Sequence, residues 1–189
     1  MKTATTEPSP VHTATVERRP FLRLEPEPRA ALTDDVRSGL VLAEQFLTDQ
    51  VPALVQGLVN YAIGVQSRRR PAGRRIAPSV AAINRRRRAS RQWIQAILAG
   101  AIDRETLQTI GHTLIPQLAG SGPEVHRGAA LGRQCVEYLR GALTAGIFGE
   151  PVANLVPEAR ALHGIETVLA IHLDSYENAV AASRDVANA

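Results

Sequence analysis

The chain has 189 residues, of which 44% are hydrophobic and only 4% aromatic. It can bury a real core, but one built from Leu, Ile, Val and Ala, which favours helices over strands. One cysteine, Cys135, excludes an internal disulfide framework and argues against a cysteine-based zinc site. The net charge of +4 is unevenly spread: residues 67–91 hold ten arginines and no acid, residues 1–66 sum to −2, and residues 92–189 sum to −4.

No apolar run reaches the roughly 18 residues of a membrane span. The first residues, through Phe21, lack the apolar centre of a secretion signal. A cytoplasmic location is therefore expected, in keeping with the lone thiol. Lys2 is the only lysine, and frequent arginine with abundant alanine suggests a GC-rich bacterial genome.

In chain order, residues 1–31 are rich in Pro, Thr, Glu and Arg and read as a flexible tail. The apolar piece Phe21, Leu22 and Leu24 could dock on a surface of this chain or of a partner. Residues 32–189 read as a single helical domain. Thr33 followed by Asp34 and Asp35 marks a helix start. Val36, Leu40, Ala43, Leu47, Val51, Leu54, Leu58 and Ala62 then recur at three- and four-residue spacing. Pro52 should kink that helix or split it in two. Residues 67–78 read as a loop. Ser79 caps a third helix that runs through Arg85–Arg88 to Trp93, Ile97 and Leu98, with Gly100 as its stop. Asp103 caps a fourth, with Leu107, Ile110, Leu114 and Ile115 apolar. Ala119–Pro123 breaks the chain before a fifth helix over roughly 124–145. The last, over roughly 155–183, carries Leu162, Ile165, Leu169, Leu173, Tyr176 and Val180. The expectation is an all-α bundle of about six helices, without strands or internal repeats.

The arginine segment is the first candidate site: Arg68, Arg69, Arg70, Arg74, Arg75, Arg85, Arg86, Arg87, Arg88 and Arg91. Ten like charges in 25 residues call for an anion nearby, whether nucleic-acid phosphate, acidic lipid or an acidic protein face. The plainer alternative is a solvated loop and helix face paired with the acidic remainder of the chain. Arg87, Arg88 and Ser90 also form a short basic phosphorylation pattern. The histidines are His12, His112, His126, His163 and His172, and none pairs with another ligand-type residue at helical zinc spacing. His172 reads as a core or interface histidine, and Cys135 as a buried structural thiol. No carboxylate pair, phosphate loop or nucleophile motif stands out, so no enzymatic activity is expected.

From Arg85 onward the order of segments resembles a known family. A basic helix ends in Gln92-Trp93 and Ile97-Leu98-Ala99-Gly100. Ile102-Asp103 then opens a helix with Leu107 and Ile110-Gly111. A Gly/Pro corner at 120–123 leads to a long helix, and the last helix carries Asp174 and Tyr176. Over about residues 85–180 this resembles the bacterial sensor globins: the globin-coupled sensors and the heme-free N-terminal domains of RsbR-type stressosome proteins. The resemblance implies a globin-like fold. It also implies dimerisation through the last two helices, with Val136, Leu139, Leu143, Leu162, Leu169, Leu173 and Tyr176 as interface residues.

Heme-binding members place a proximal histidine late in the fourth of these helices, which falls on Leu114 or Gln117 here. His112 is the only histidine in that helix, and it lies roughly 200° round from Leu114. The resemblance therefore implies a heme-free domain without a cofactor. The expected function is a non-catalytic sensor or adaptor that dimerises and binds a partner or a small apolar ligand. With no output domain following, any signal should pass through association. The alternative is a nucleic-acid-binding regulator using Arg68–Arg91, and a third reading places the same arginines on a membrane surface or a polymer.

Overall fold

Side-chain caps decide where three helices begin. Thr33 Oγ1 accepts from the Val36 amide at 3.4 Å, Ser79 Oγ from Ala82 at 3.2 Å, and Asp103 Oδ1 from Thr106 at 2.9 Å. Each satisfies an amide that a first helical turn leaves without a partner. The computed structural model describes residues 32–68, 77–120, 128–149 and 155–188, which belong to one unit that begins at Leu32. The tail expected at 1–31 lies outside the described residues, as do Arg69, Arg70, Arg74 and Arg75.

The helices are α1 (Asp34–Leu47), α2 (Val51–Arg68), α3 (Val80–Leu98), α4 (Arg104–Thr109), α5 (Ile115–Ala119), α6 (Ala129–Ile147) and α7 (Val156–Ala187). No strand occurs among the described residues, which are all-α as the composition favours.

Two junctions show how the chain turns. At Pro52 the first apolar stripe passes from α1 to α2 through one tightened turn, the break expected there, without a gap in the helical run. In an unbroken α-helix its ring would press on the Thr48 carbonyl. The backbone instead tightens into a 3-10 turn over Thr48–Gln50, and Pro52 sits in the first turn of α2, where a missing N–H costs nothing. Between α4 and α5, Ile110–Leu114 forms a π turn in which the Ile115 amide reaches back to the Ile110 carbonyl. The described residues therefore form five continuous helical runs rather than six. Gly100 (φ +62°) and Gly120 (φ +66°) end α3 and α5 in the left-handed region that glycine alone enters freely.

Packing joins helices that are distant in sequence. α1 lies on α7, α2 on α3 and α6, α6 on α7, and the π turn on α7. At the α1–α7 crossing two glycines let the backbones meet. A Cβ on Gly164 would stand 2.9 Å from the Leu40 amide nitrogen and 3.0 Å from the Gly39 carbonyl carbon. The core between these helices includes Leu47, Leu58, Trp93, Ile94, Ile97, Ile110, Leu118, Leu143 and Ile165, all fully buried. Each contributes about 1.5–3 kcal/mol relative to exposure. Arg140 with Glu166 ties α6 to α7 at 3.1 Å, and Arg160 with Asp35 ties α7 to α1 at 3.0 Å. These pairs are partly exposed and contribute about 0–1 kcal/mol each, fixing register more than stability.

Candidate functional site

The helical period divides the arginine run of α3 between two faces. Arg86 shares the inner stripe with Ser90, Trp93 and Ile97, and only 5% of it is exposed. Its Nη2 donates to Gln66 Oε1 of α2 at 2.5 Å. The same nitrogen lies 2.5 Å from where a Cβ on Gly120 would stand, so the guanidinium fills the space that this glycine leaves open. Arg86 therefore does not belong to the anion-facing surface on which the sequence placed it. Ser90 is fully buried as well, so the phosphorylation pattern ending there has no reachable hydroxyl.

Cys135 of α6 faces the same interior. Burial pushes its thiol up to about 12, against the opposing charge of Arg86. Burial of this kind keeps a thiol protonated at neutral pH, the environment of a structural cysteine. The Tyr176 phenol, with its Oη 3.4 Å from the Ala129 carbonyl, is likewise pushed up to about 12 by burial. The buried Trp93 indole N–H and Ser90 hydroxyl have no hydrogen-bond partner among the described residues.

The outer face is different. Arg85, Arg88 and Arg91 are exposed together with Asn84, Gln92 and Gln95. None of the three arginines forms an ion pair among the described residues. Arg87 is turned aside and donates to Gln56 of α2 at 3.0 Å, and Arg68 is exposed at the end of α2. Clefts flank this face. One of about 500 Å³ runs towards α1 and is lined by Glu44, Arg91 and Gln95. The other, of about 240 Å³, runs towards α4 and is lined by Gln92, Glu105 and Thr109.

Helix α7 holds the link between α3 and α4 by two hydrogen bonds. His172 Nε2 lies 2.8 Å from the Ala101 carbonyl, and Ser175 Oγ donates to the Leu107 carbonyl at 2.8 Å. A carbonyl only accepts, so Nε2 carries the proton. Burial lowers the pKa of His172 below its usual 6.5, partly offset by the Ala101 bond. His172 is thus the core histidine that its place on the apolar stripe suggested. His112 is exposed, while Leu114 is buried and Gln117 exposed at the two positions where the resemblance puts a heme ligand. His163 is also exposed, on the rim of a groove of about 430 Å³ near Asp35, Leu155 and Val156. His12 and His126 lie outside the described residues. No group of three or more His, Cys, Asp or Glu side chains is placed to hold a metal ion among the described residues.

Of the seven side chains expected at a dimer interface, five are taken up by this chain's own core. Val136, Leu139, Leu143, Leu169 and Tyr176 are fully buried within this chain, and Leu162 and Leu173 are half-buried against the same core. Periodicity marks which face of a helix is apolar but not which molecule covers it. Sequence reasoning also missed Gln66 and Ser175, whose roles depend on contacts 20 and 68 residues away. The inward turn of Arg86 did carry a signal, because residues 86, 90, 93 and 97 repeat at helical spacing. No family model, curated protein or solved structure matches the chain.

Proposed function

We propose that the chain is a non-catalytic bacterial sensor or adaptor, globin-like and heme-free, that acts in the cytoplasm by dimerising and binding a partner or a small apolar ligand. The observation that carries this reading is the filled interior. Trp93, Ile97, Ile110 and Ile115 are fully buried, and Leu114 is buried where the resemblance would put a heme ligand. The pairwise crossing of helices distant in sequence, with the first on the last, also supports a globin-like arrangement. Because the inner stripes of α6 and α7 are spent on the chain's own core, dimerisation uses their outer faces. The test is hemin titration followed by absorption, with sedimentation to measure mass. No Soret band and a dimer are expected. A strong Soret band that is lost in His112→Ala would overturn the heme-free reading, and a monomer at high concentration would overturn the dimer.

A second reading, a nucleic-acid-binding regulator, is favoured by one observation. Arg85, Arg88 and Arg91 stand exposed on one helix face without an ion-pair partner among the described residues. Like charges held this close repel unless an anion is brought to them. Electrophoretic mobility shift at low salt tests it, and the absence of any shift would remove it.

A further inference from the structure

We propose that the outer face of α3 docks on duplex nucleic acid, with Arg85, Arg88 and Arg91 meeting phosphates and base edges beside Asn84, Gln92 and Gln95. This rests on the nucleic-acid reading above and narrows it to one helix face and one form of the polymer.

The composition of the face selects the partner. Between Val80 and Ala99 the exposed side chains on this side are arginine, asparagine, glutamine, alanine and, at the first residue of the helix, Val80. Stable protein interfaces are anchored by buried aromatic or large apolar side chains clustered near their centre; here Val80 stands alone at the end of the face, and Val51, Leu98, Ile110 and Leu114 line the flanking clefts rather than the face itself. Binding of single strands relies on aromatic platforms on which bases stack, and these too are missing from this face. Insertion at a lipid surface needs large apolar groups facing the acyl boundary, and alanine does not supply them. What remains is the side-chain set that reads and grips a duplex. Arginine bonds to phosphate and to guanine, and asparagine and glutamine pair with adenine.

Shape agrees with composition. The face from Ala81 to Gln95 runs about 20 Å along the helix axis at 1.5 Å per residue. A helix with its side chains is about 10–12 Å across, and the major groove is about 12 Å wide. The clefts beside Arg91 and Gln92 leave α3 standing as a ridge. Glu44 and Glu105, which line those clefts, repel phosphate and so limit the attractive strip to α3 itself.

The experiment uses the full chain and fluorescence anisotropy over a range of salt. The probes are a mixed-sequence DNA duplex of about 20 base pairs, or two turns, one strand of it alone, and poly-L-glutamate. The variants are Arg85→Gln/Arg88→Gln/Arg91→Gln and the matching triple lysine variant. A control of equal charge change removes Arg37, Arg104 and Arg184, which are exposed elsewhere. Circular dichroism verifies that each is folded. The duplex should bind best. The triple glutamine variant should lose at least about tenfold in affinity, and its log–log salt slope should fall by about one per arginine. The control should stay within about twofold, and the lysine variant should keep most of the salt slope.

Several results would overturn the proposal. Tighter binding of the single strand would refute the duplex and leave the nucleic-acid reading standing. Unchanged duplex binding by the glutamine variant would move the site off α3 and also leave that reading standing. An equal fall of the salt slope in the lysine and glutamine variants would show that charge is not the agent. Preferential binding of poly-L-glutamate would replace nucleic acid by an acidic protein partner. No binding of any nucleic acid at low salt would remove the inference and the reading together.

Discussion

Replacing Gly39 by alanine tests the crossing on which the fold depends. The added Cβ would overlap the Arg160 carbonyl oxygen and come to 3.1 Å from its carbon and 3.3 Å from the Gly164 nitrogen. Carbon atoms rest at about 3.5–4.0 Å, so α1 and α7 must separate by about an ångström. All the atoms in the way are backbone, and no side chain can swing clear. Overpacking of this kind costs about 1–3 kcal/mol. Alanine is also the better helix former by about 0.5–1 kcal/mol, and that gain opposes the clash without cancelling it. A net loss of about 1–2 kcal/mol lowers the melting temperature by roughly 2–8 °C in a chain of this size. The comparison is with Gly64→Ala and Gly141→Ala, whose new Cβ atoms meet nothing within 4 Å. Those two should be stabilised by about 0.5–1 kcal/mol each. Thermal and urea unfolding followed by helical circular dichroism measures all three. If Gly39→Ala melts at or above the parent while Gly141→Ala behaves as expected, α1 does not cross α7 at this point.

Other expectations follow from burial and charge. Cys135, with its thiol pushed up to about 12, should ignore a disulfide reagent at neutral pH until denaturant is added. Rapid labelling of the native protein would show that α6 does not face the core. Trp93 is the single tryptophan and is fully buried. Its emission should be blue-shifted and resist iodide quenching up to the unfolding transition, and early quenching would place it at the surface. The lowered pKa of His172 means that the unfolded chain takes up the proton first. Its contribution to stability is complete above the usual 6.5 and is lost as the pH falls from there through the lower folded value. The fall in urea midpoint on acidification should be smaller in His172→Gln, and an equal fall would assign the effect to other groups. Glu177 is held below the usual carboxylate range by Arg133, but both side chains are more than 40% exposed. Glu177→Gln should therefore cost no more than about 1 kcal/mol by the same unfolding measurement.

Local chemistry made much of this architecture readable in the sequence. Thr33, Ser79 and Asp103 act as caps because a short oxygen-bearing side chain can reach an unpaired amide two or three residues on, and that needs no tertiary information. Gly100 and Gly120 stop helices for equally local reasons. The features that escaped depend on partners far along the chain. Nothing near Gly39 announces Gly164. Nothing near Arg86 announces Gln66 and Gly120, so four consecutive arginines looked like one surface. The apolar stripes of α6 and α7 were found, but whether their cover is this chain or a second copy is decided by packing. The outer arginines were legible as charge, and helical spacing alone puts three of them on one face with three amides; that this face stays uncovered among the described residues is decided by packing.

The pairing of α1 with α7 also has a consequence for how the chain is made. The Asp35–Arg160 link spans 125 residues, so α1 leaves the ribosome long before its partner exists. At about 5–20 residues per second the apolar side of α1 waits on the order of ten seconds, exposed or covered by a chaperone. Closing so long a loop costs chain entropy before any contact repays it. The helices between can assemble early on nearer contacts, but α1 gains its main partner only when α7 arrives, so α7 completes the packing of α1.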